Sequence, residues 1–384
     1  MLGLDLSGGY YDAGDNVKFN FPQAGTLTLI AWSGIEFKEG YEKAGQYQYM
    51  LDMVKWGADY FVKCHPEKDV FYIQVGDGKL DHSYWSPPEF ITYEYPSYKV
   101  DKEHPGSEVA GEASASLAAA SILFKDVDST YSKTLLQHAI ELFEFADNYR
   151  GDYTSSVPEV AGFYGTSRRG INDELEWSAL WLYRATGDQK YLEKFESFIL
   201  TDGAYYSCNR PISWDEKYPG IYMLSAQVLK DEKYLNLAYK YADQIVDCQK
   251  TPGGLCYFDN LSKWGSNRHA ANAVSMLAFF ANILPQSDEK RPKYIEFLQK
   301  QINYILGDNP LGINYVVGAE DNSPKAVHHR GSSCTFETLG LPSENIYTLW
   351  GALAGGPGPN DEYEDDRMDY EKNEVALDYN SGFT

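Results

Sequence analysis

Two aspartates, Asp12 and Asp15, stand in the glycine-rich turn Gly8-Gly9-Tyr10-Tyr11-Asp12-Ala13-Gly14-Asp15, and a lone Glu374 stands among apolar residues at the far end of the chain. Neighbouring carboxylates raise one another's pKa and together can hold a water molecule for deprotonation. A glutamate beside Val375-Ala376 tends to stay protonated and so can donate a proton. Water activated by one carboxylate and a leaving oxygen protonated by another is the chemistry that cleaves a glycosidic bond. Gly8, Gly9 and Gly14 admit positive φ and the close approach of a ligand. The same turn also suits an Asx turn or a calcium loop, and an isolated glutamate in an acidic tail commonly sits in solvent.

Further polar clusters lie between these ends. His and Arg donors meet in Val327-His328-His329-Arg330, after the segment Asp308–Gly318. Consecutive histidine side chains diverge, which disfavours a zinc site. Asp81-His82-Ser83-Tyr84-Trp85 and Trp264-Gly265-Ser266-Asn267-Arg268-His269 each pair polar groups with an aromatic face. Singly, each suits a satisfied structural residue; in the loops of one helical array they favour a carbohydrate cleft.

The net charge of −23 argues against nucleic acid or an anionic membrane as partner. Aromatics make up 15% of the 384 residues, with 32 Tyr and 8 Trp, whose flat faces and polar tips suit stacking on sugar rings as well as a wet core. No apolar run is long enough to span a bilayer. The five cysteines (64, 208, 248, 256 and 334) show no paired spacing, so mostly free thiols are expected. The opening Met1-Leu2-Gly3-Leu4 carries no signal peptide and reads as a start inside a longer protein.

Elements that position these residues follow from periodicity. Amphipathic patterns predict helices near 24–38, 43–63, 107–125, 129–150, 172–186, 188–199, 218–229, 231–249, 268–283 and 290–306. The best strand candidate is Val70–Val75. No Ser/Gly- or Pro-rich linker interrupts the chain, so residues 1–384 read as one domain. Asp188…Tyr191-Leu192 recurs as Asp231…Tyr234-Leu235, with looser copies at Asp128…Tyr131 and Lys290…Tyr294, the mark of helix pairs stacked in a helical solenoid or toroid. A toroid would bring the two ends of the chain together at one mouth, where Gly-, Pro- and aromatic-rich loops gather.

With these motifs in order, the chain resembles family 9 glycoside hydrolases, a group dominated by cellulases. The resemblance rests on Gly8–Asp15, on Asn314-Tyr315-Val316-Val317-Gly318 followed by His328-His329-Arg330, and on Tyr363–Thr384, and it covers nearly the whole chain. It implies an all-α (α/α)6 barrel and inverting hydrolysis of internal β-1,4-glucosidic bonds in cellulose and related β-glucans, without a catalytic cofactor. It implies Asp15 as general base, Asp12 holding the same water, Glu374 as general acid and Asp365 supporting the acid. His82, Trp85, Trp264, Arg268, His328, Arg330 and Tyr379 would bind sugar. Many members hold a structural calcium ion, which here would fall to Asp173, Glu174 and Asp215; an acidic helix N-terminus is the plainer account of the first two.

Secretion is expected, and a longer parent chain would have room for a carbohydrate-binding module, which nothing in these residues resembles. Departures from the family pattern are a missing N-terminal segment that includes the barrel's first helix, Arg168-Arg169 in the 163–170 loop, and His269 where Tyr is common. Rival readings are a non-catalytic carbohydrate binder, or an enzyme for mixed-linkage glucan, xylan or short cello-oligosaccharides. A terpene-cyclising or protein-binding toroid would need other motifs.

Overall fold

The computed structural model describes residues 3–165, 170–200, 208–333 and 343–384; Arg168, Arg169 and Cys334 lie outside them. All ten predicted helices form, their ends shifted by no more than about a turn. They make five pairs: α1 (Asn20–Glu36) with α2 (Tyr47–Cys64), α3 (Ser107–Phe124) with α4 (Ser129–Asn148), α5 (Asn172–Thr186) with α6 (Gln189–Ile199), α7 (Tyr218–Leu229) with α8 (Glu232–Val246), and α9 (Ser266–Ile283) with α10 (Arg291–Ile305). A short α11 (Leu377–Ser381) follows.

The first helix of each pair packs against the next around a ring, α1 to α3, α5, α7, α9 and α11, and α11 returns to α1. These inner helices are buried almost all round, as α3 shows with its run of Ala and Ser between Glu112 and Ser121. Small side chains there let the helix sit between two neighbours at close range. The outer helices bury one stripe only, such as Tyr234, Ala238, Tyr241, Ala242 and Ile245 on α8. The result is an (α/α)6 barrel. Its hole is plugged by aromatics: Trp32 of α1 stacks on Phe279 of α9 with centroids 3.8 Å apart and meets Trp177 and Trp181 of α5 edge-on.

The recurring Asp–Tyr motif has a physical basis. Asp128, Asp188 and Asp231 cap their helices by accepting backbone N–H groups of the first turn, while Tyr191 and Tyr234 enter the buried stripe. In the fourth copy the capping residue is Asp288, which accepts from Lys290 and Arg291 at 2.9 Å. Among the described residues, five outer helices back the six inner ones. Among the described residues no outer helix stands behind α11, and an apolar cavity of about 460 Å³ opens there, bounded by Leu29, Phe37, Val274, Phe279, Ile302 and Phe383.

Strand β1 (Lys18–Phe19) pairs antiparallel with β2 (Phe71–Val75), the predicted strand, and β2 with β3 (Ser97–Val100). This small sheet ties the Asp12–Asp15 turn to the loop that carries His82.

The expectation of mostly free thiols is corrected. Cys248 and Cys256 form a disulfide, while Cys64 and Cys208 are buried outside any disulfide. Between the paired cysteines, Thr251-Pro252-Gly253-Gly254 turns the chain back so that Lys250 pairs with Cys256, leaving the cysteine Cα atoms 5.9 Å apart, within disulfide reach. No spacing rule records such a turn. No helix among the described residues is long and apolar enough to cross a membrane.

Candidate active site

Backbone hydrogen bonds knit the three motifs into one floor. Arg330 N–H donates to Gly14 O at 3.0 Å, Leu377 N–H to Asp12 O at 2.9 Å, and His328 N–H to Asn373 O at 2.8 Å. Gly14 is required at this crossing, because a Cβ there would stand 2.4 Å from His328 O. Above the floor lies a cavity of about 730 Å³, lined by Asp12, Asp15, His82, Trp264, Arg268, His328, Arg330, Glu374 and Tyr379, with Tyr164, Trp214 and Asp378. Ten of the fourteen residues singled out from sequence, Asp215 among them, therefore share one cleft with three that were not.

Asp12 and Asp15 are both buried. One Asp12 oxygen accepts the hydroxyl of Tyr164, itself wedged between Phe19 and Trp214, and the other has no partner. Burial, then the charge of Asp15, hold Asp12 well above the usual carboxylate range. Asp15 Oδ1 accepts Ala13 N–H at 2.9 Å, and its Oδ2 is buried without a partner. Burial pushes Asp15 up to about 7; the Ala13 bond and Arg330 oppose this, and the charge of Asp81 adds to it. Two neighbouring carboxylates, each with one open oxygen, can hold and deprotonate a water.

Glu374 lines the same cavity in a different environment. Its Oε2 accepts Trp264 Nε1–H at 2.6 Å and the Tyr379 hydroxyl at 3.1 Å. Burial raises its pKa against those bonds and the charge of Arg268. Gly265, at φ +76°, lets the chain pass under Tyr379, where a Cβ would stand 2.9 Å from the ring. Arg268 pairs with Asp378 at 2.8 Å and lies over the Tyr379 ring. His269 is buried behind it and pushed far below the ordinary imidazole range by burial.

Two expected site residues stand elsewhere. Trp85 is not among the cavity-lining residues; its ring meets His328 edge-on at 4.7 Å and its Nε1–H donates to Ser333 Oγ. Asp365 lies outside the cleft, accepting Lys325 N–H at 2.7 Å and Asn373 Nδ2–H at 2.8 Å. Asn373 precedes Glu374, so Asp365 reaches Glu374 only through this neighbour and does not open onto the cavity. The partners of Asp81, Tyr164 and Asn373 could not be read from the motifs, because each makes a contact distant in sequence.

The proposed calcium ligands divide. Asp173 and Glu174 are fully buried at the start of α5, and both Glu174 oxygens lack hydrogen-bond partners. Burial pushes Asp173 up to about 7 and Glu174 well above its usual range, each with a neighbouring carboxylate adding to it. Nearby Lys217 is a buried cation, but it is 3.2 Å from Glu112 and serves several carboxyls at once. Buried carboxyl oxygens without hydrogen-bond partners are the donor type that a hard cation takes. Asp215 is corrected: it lines the cleft and accepts Ser213 Oγ–H, while the adjacent Glu216 is the group whose charge acts on Asp173.

An (α/α)6 barrel whose chain ends meet at a cleft lined by Asp12, Asp15 and Glu374 has the framework and the carboxyl groups of a hydrolase. The family model described as "Glycosyl hydrolase family 9" matches residues 2–384, and the chain belongs to that family. It is 41% identical over 394 residues to Endoglucanase A of Bacillus pumilus, aligning all of this chain with 59% of that protein. It is 43% identical over 396 residues to Endoglucanase B of Cellulomonas fimi, again over the whole chain but only 37% of the relative. Thus the chain spans less than two thirds of these curated relatives. Among solved structures, the endoglucanase of the termite Nasutitermes takasagoensis superposes with TM-score 0.93 at 45% identity, over 99% of this chain and 87% of the other. The cellulase Cel9M of C. cellulolyticum in complex with cellobiose gives 0.90 at 35% identity, over 100% and 87%.

Proposed function

We propose that residues 1–384 act as one catalytic domain that hydrolyses internal β-1,4-glucosidic bonds of cellulose and related β-glucans with inversion. The observation that carries this reading is the opening of Asp12, Asp15 and Glu374 onto one cavity beside Trp264. Ionised Asp15 takes a proton from a water that Asp12 steadies through its open oxygen. That water attacks the anomeric carbon while Glu374 protonates the departing glycosidic oxygen. Glu374 Oε2 is occupied by Trp264 and Tyr379, which leaves Oε1 to carry the proton. Trp264, 44% exposed, offers a stacking face for a glucosyl ring. No redox or group-carrying cofactor is called for.

Reducing-sugar release from a soluble cellulose derivative tests the reading. Asp15→Asn and Glu374→Gln should each lose about 10²–10⁴-fold in rate while keeping the wild-type circular dichroism. Near-normal turnover in either variant would sink the assignment and favour a non-catalytic carbohydrate binder.

The Cys248–Cys256 disulfide supports action outside the cell, where such bonds persist. The greater length of the curated relatives is compatible with an additional carbohydrate-binding module in a parent chain. A calcium ion held by Asp173 and Glu174 would offset their buried charge and stabilise the start of α5, with no part in the proton transfers.

A further inference from the structure

Behind the general base stands Asp81, a residue that does not line the cavity. It ends the short helix Gly78–Asp81, which follows β2 and is capped by Asp77. Its side chain is wholly buried and fully engaged: Oδ1 accepts Asn16 Nδ2–H at 3.2 Å and the Tyr93 hydroxyl at 2.9 Å, and Oδ2 accepts Arg330 Nη1–H. Carboxylate oxygens of Asp15 and Asp81 and a ring nitrogen of His82 lie within 4.8 Å of one another. Arg330 is held from the other side by its own N–H to Gly14 O, one residue from the base.

We propose that Asp81 is a positioning residue for the general base: its ion pair with Arg330 anchors the guanidinium beside Asp15 and sets the charge environment in which Asp15 works. This rests on Asp15 being the base. The groups facing Asp15 are Asp12 in its own turn, Asp81 and His82 from the 78–82 segment, Arg330 from the 330–333 turn, and the phenols of Tyr93 and Tyr95. Tyr93 and Tyr95 stay neutral through the working range, because burial raises both. His82 is held below the ordinary imidazole range by burial and by Arg330, so it too is neutral near pH 7. Burial pushes Asp12 itself well above the usual carboxylate range, while Asp81 and Arg330 act on Asp15 in opposite directions.

That opposition makes the role separable from simple scaffolding. The acid limb of kcat/KM against pH reports ionisation of the base in free enzyme. Measured on cellopentaose, Asp81→Asn should move that limb down by about one pH unit, since a negative neighbour is lost and Arg330 is left uncompensated. Arg330→Gln should move it up by a similar amount. Asp81→Glu, which keeps the charge, should return the limb towards wild type. If Asp15→Asn keeps its turnover, the base assignment itself fails. If Asp15→Asn is inactive, yet Asp81→Asn and Arg330→Gln lower kcat without moving the limb, Asp81 is structural and the proposal is overturned. Should Asp81→Asn not fold, Arg330→Gln decides alone: an upward shift supports the pairing, and an unmoved limb contradicts it.

Discussion

Trp264 Nε1–H donates to Glu374 Oε2 at 2.6 Å, so the ring that offers a face to a sugar also holds the carboxyl that would cleave beside it. Hydrogen bonding to the ionised form favours that form, and here it works against the burial that raises the pKa of Glu374. Trp264→Phe keeps a stacking face but removes the donor. The pKa of Glu374 should then rise, and the basic limb of kcat against pH should move up by on the order of one unit. A basic limb that stays in place would mean that the bond does not govern the acid.

Asp15, the proposed base, should cost the fold stability. Asp15 rises from an ordinary 3.8 in the unfolded chain to about 7 when folded, so the folded state holds the proton more tightly. Its stabilising contribution is therefore full below pH 3.8 and is lost as pH rises through 7. Activity runs the other way, because the base must be ionised. Asp15→Asn should melt roughly a degree or two above wild type at pH 8 and show a smaller gain at pH 4. Equal differences at the two pH values would remove the linkage.

Much of this was legible in the sequence because it is local. Helix stripes, Asp caps and the buried Tyr of the repeated motif follow from spacing within one element, and all ten helices appear. The cleft was legible because glycine-rich and aromatic motifs announce it. What escaped depends on which distant segments meet. Asp81 matters through Arg330, Tyr164 through Asp12, and Cys248 through a turn that returns Cys256 to it. Asp215 was misjudged by one position, since adjacent residues in a turn point to different sides and only the fold says that Glu216 is the inward one.

Calcium can be checked apart from catalysis. If the ion neutralises Asp173 and Glu174, melting followed by calorimetry should fall on chelation and recover with added calcium. Ten times more free calcium should add about 1.4 kcal/mol of stability above the dissociation constant. Activity at room temperature should change less than the melting temperature. A melting temperature indifferent to chelation would leave the two as acidic residues at a helix start.

The central claim is that water attacks directly, activated by Asp15 opposite Glu374, with no covalent sugar on the protein. Proton NMR of the anomeric region during the first minutes of cellopentaose hydrolysis tests it most directly. The account predicts that the new reducing end appears first as the α-anomer, with the β-anomer growing only at the rate of mutarotation. Initial release of the β-anomer would show retention and would contradict the assignment of Asp15 as the base that activates water.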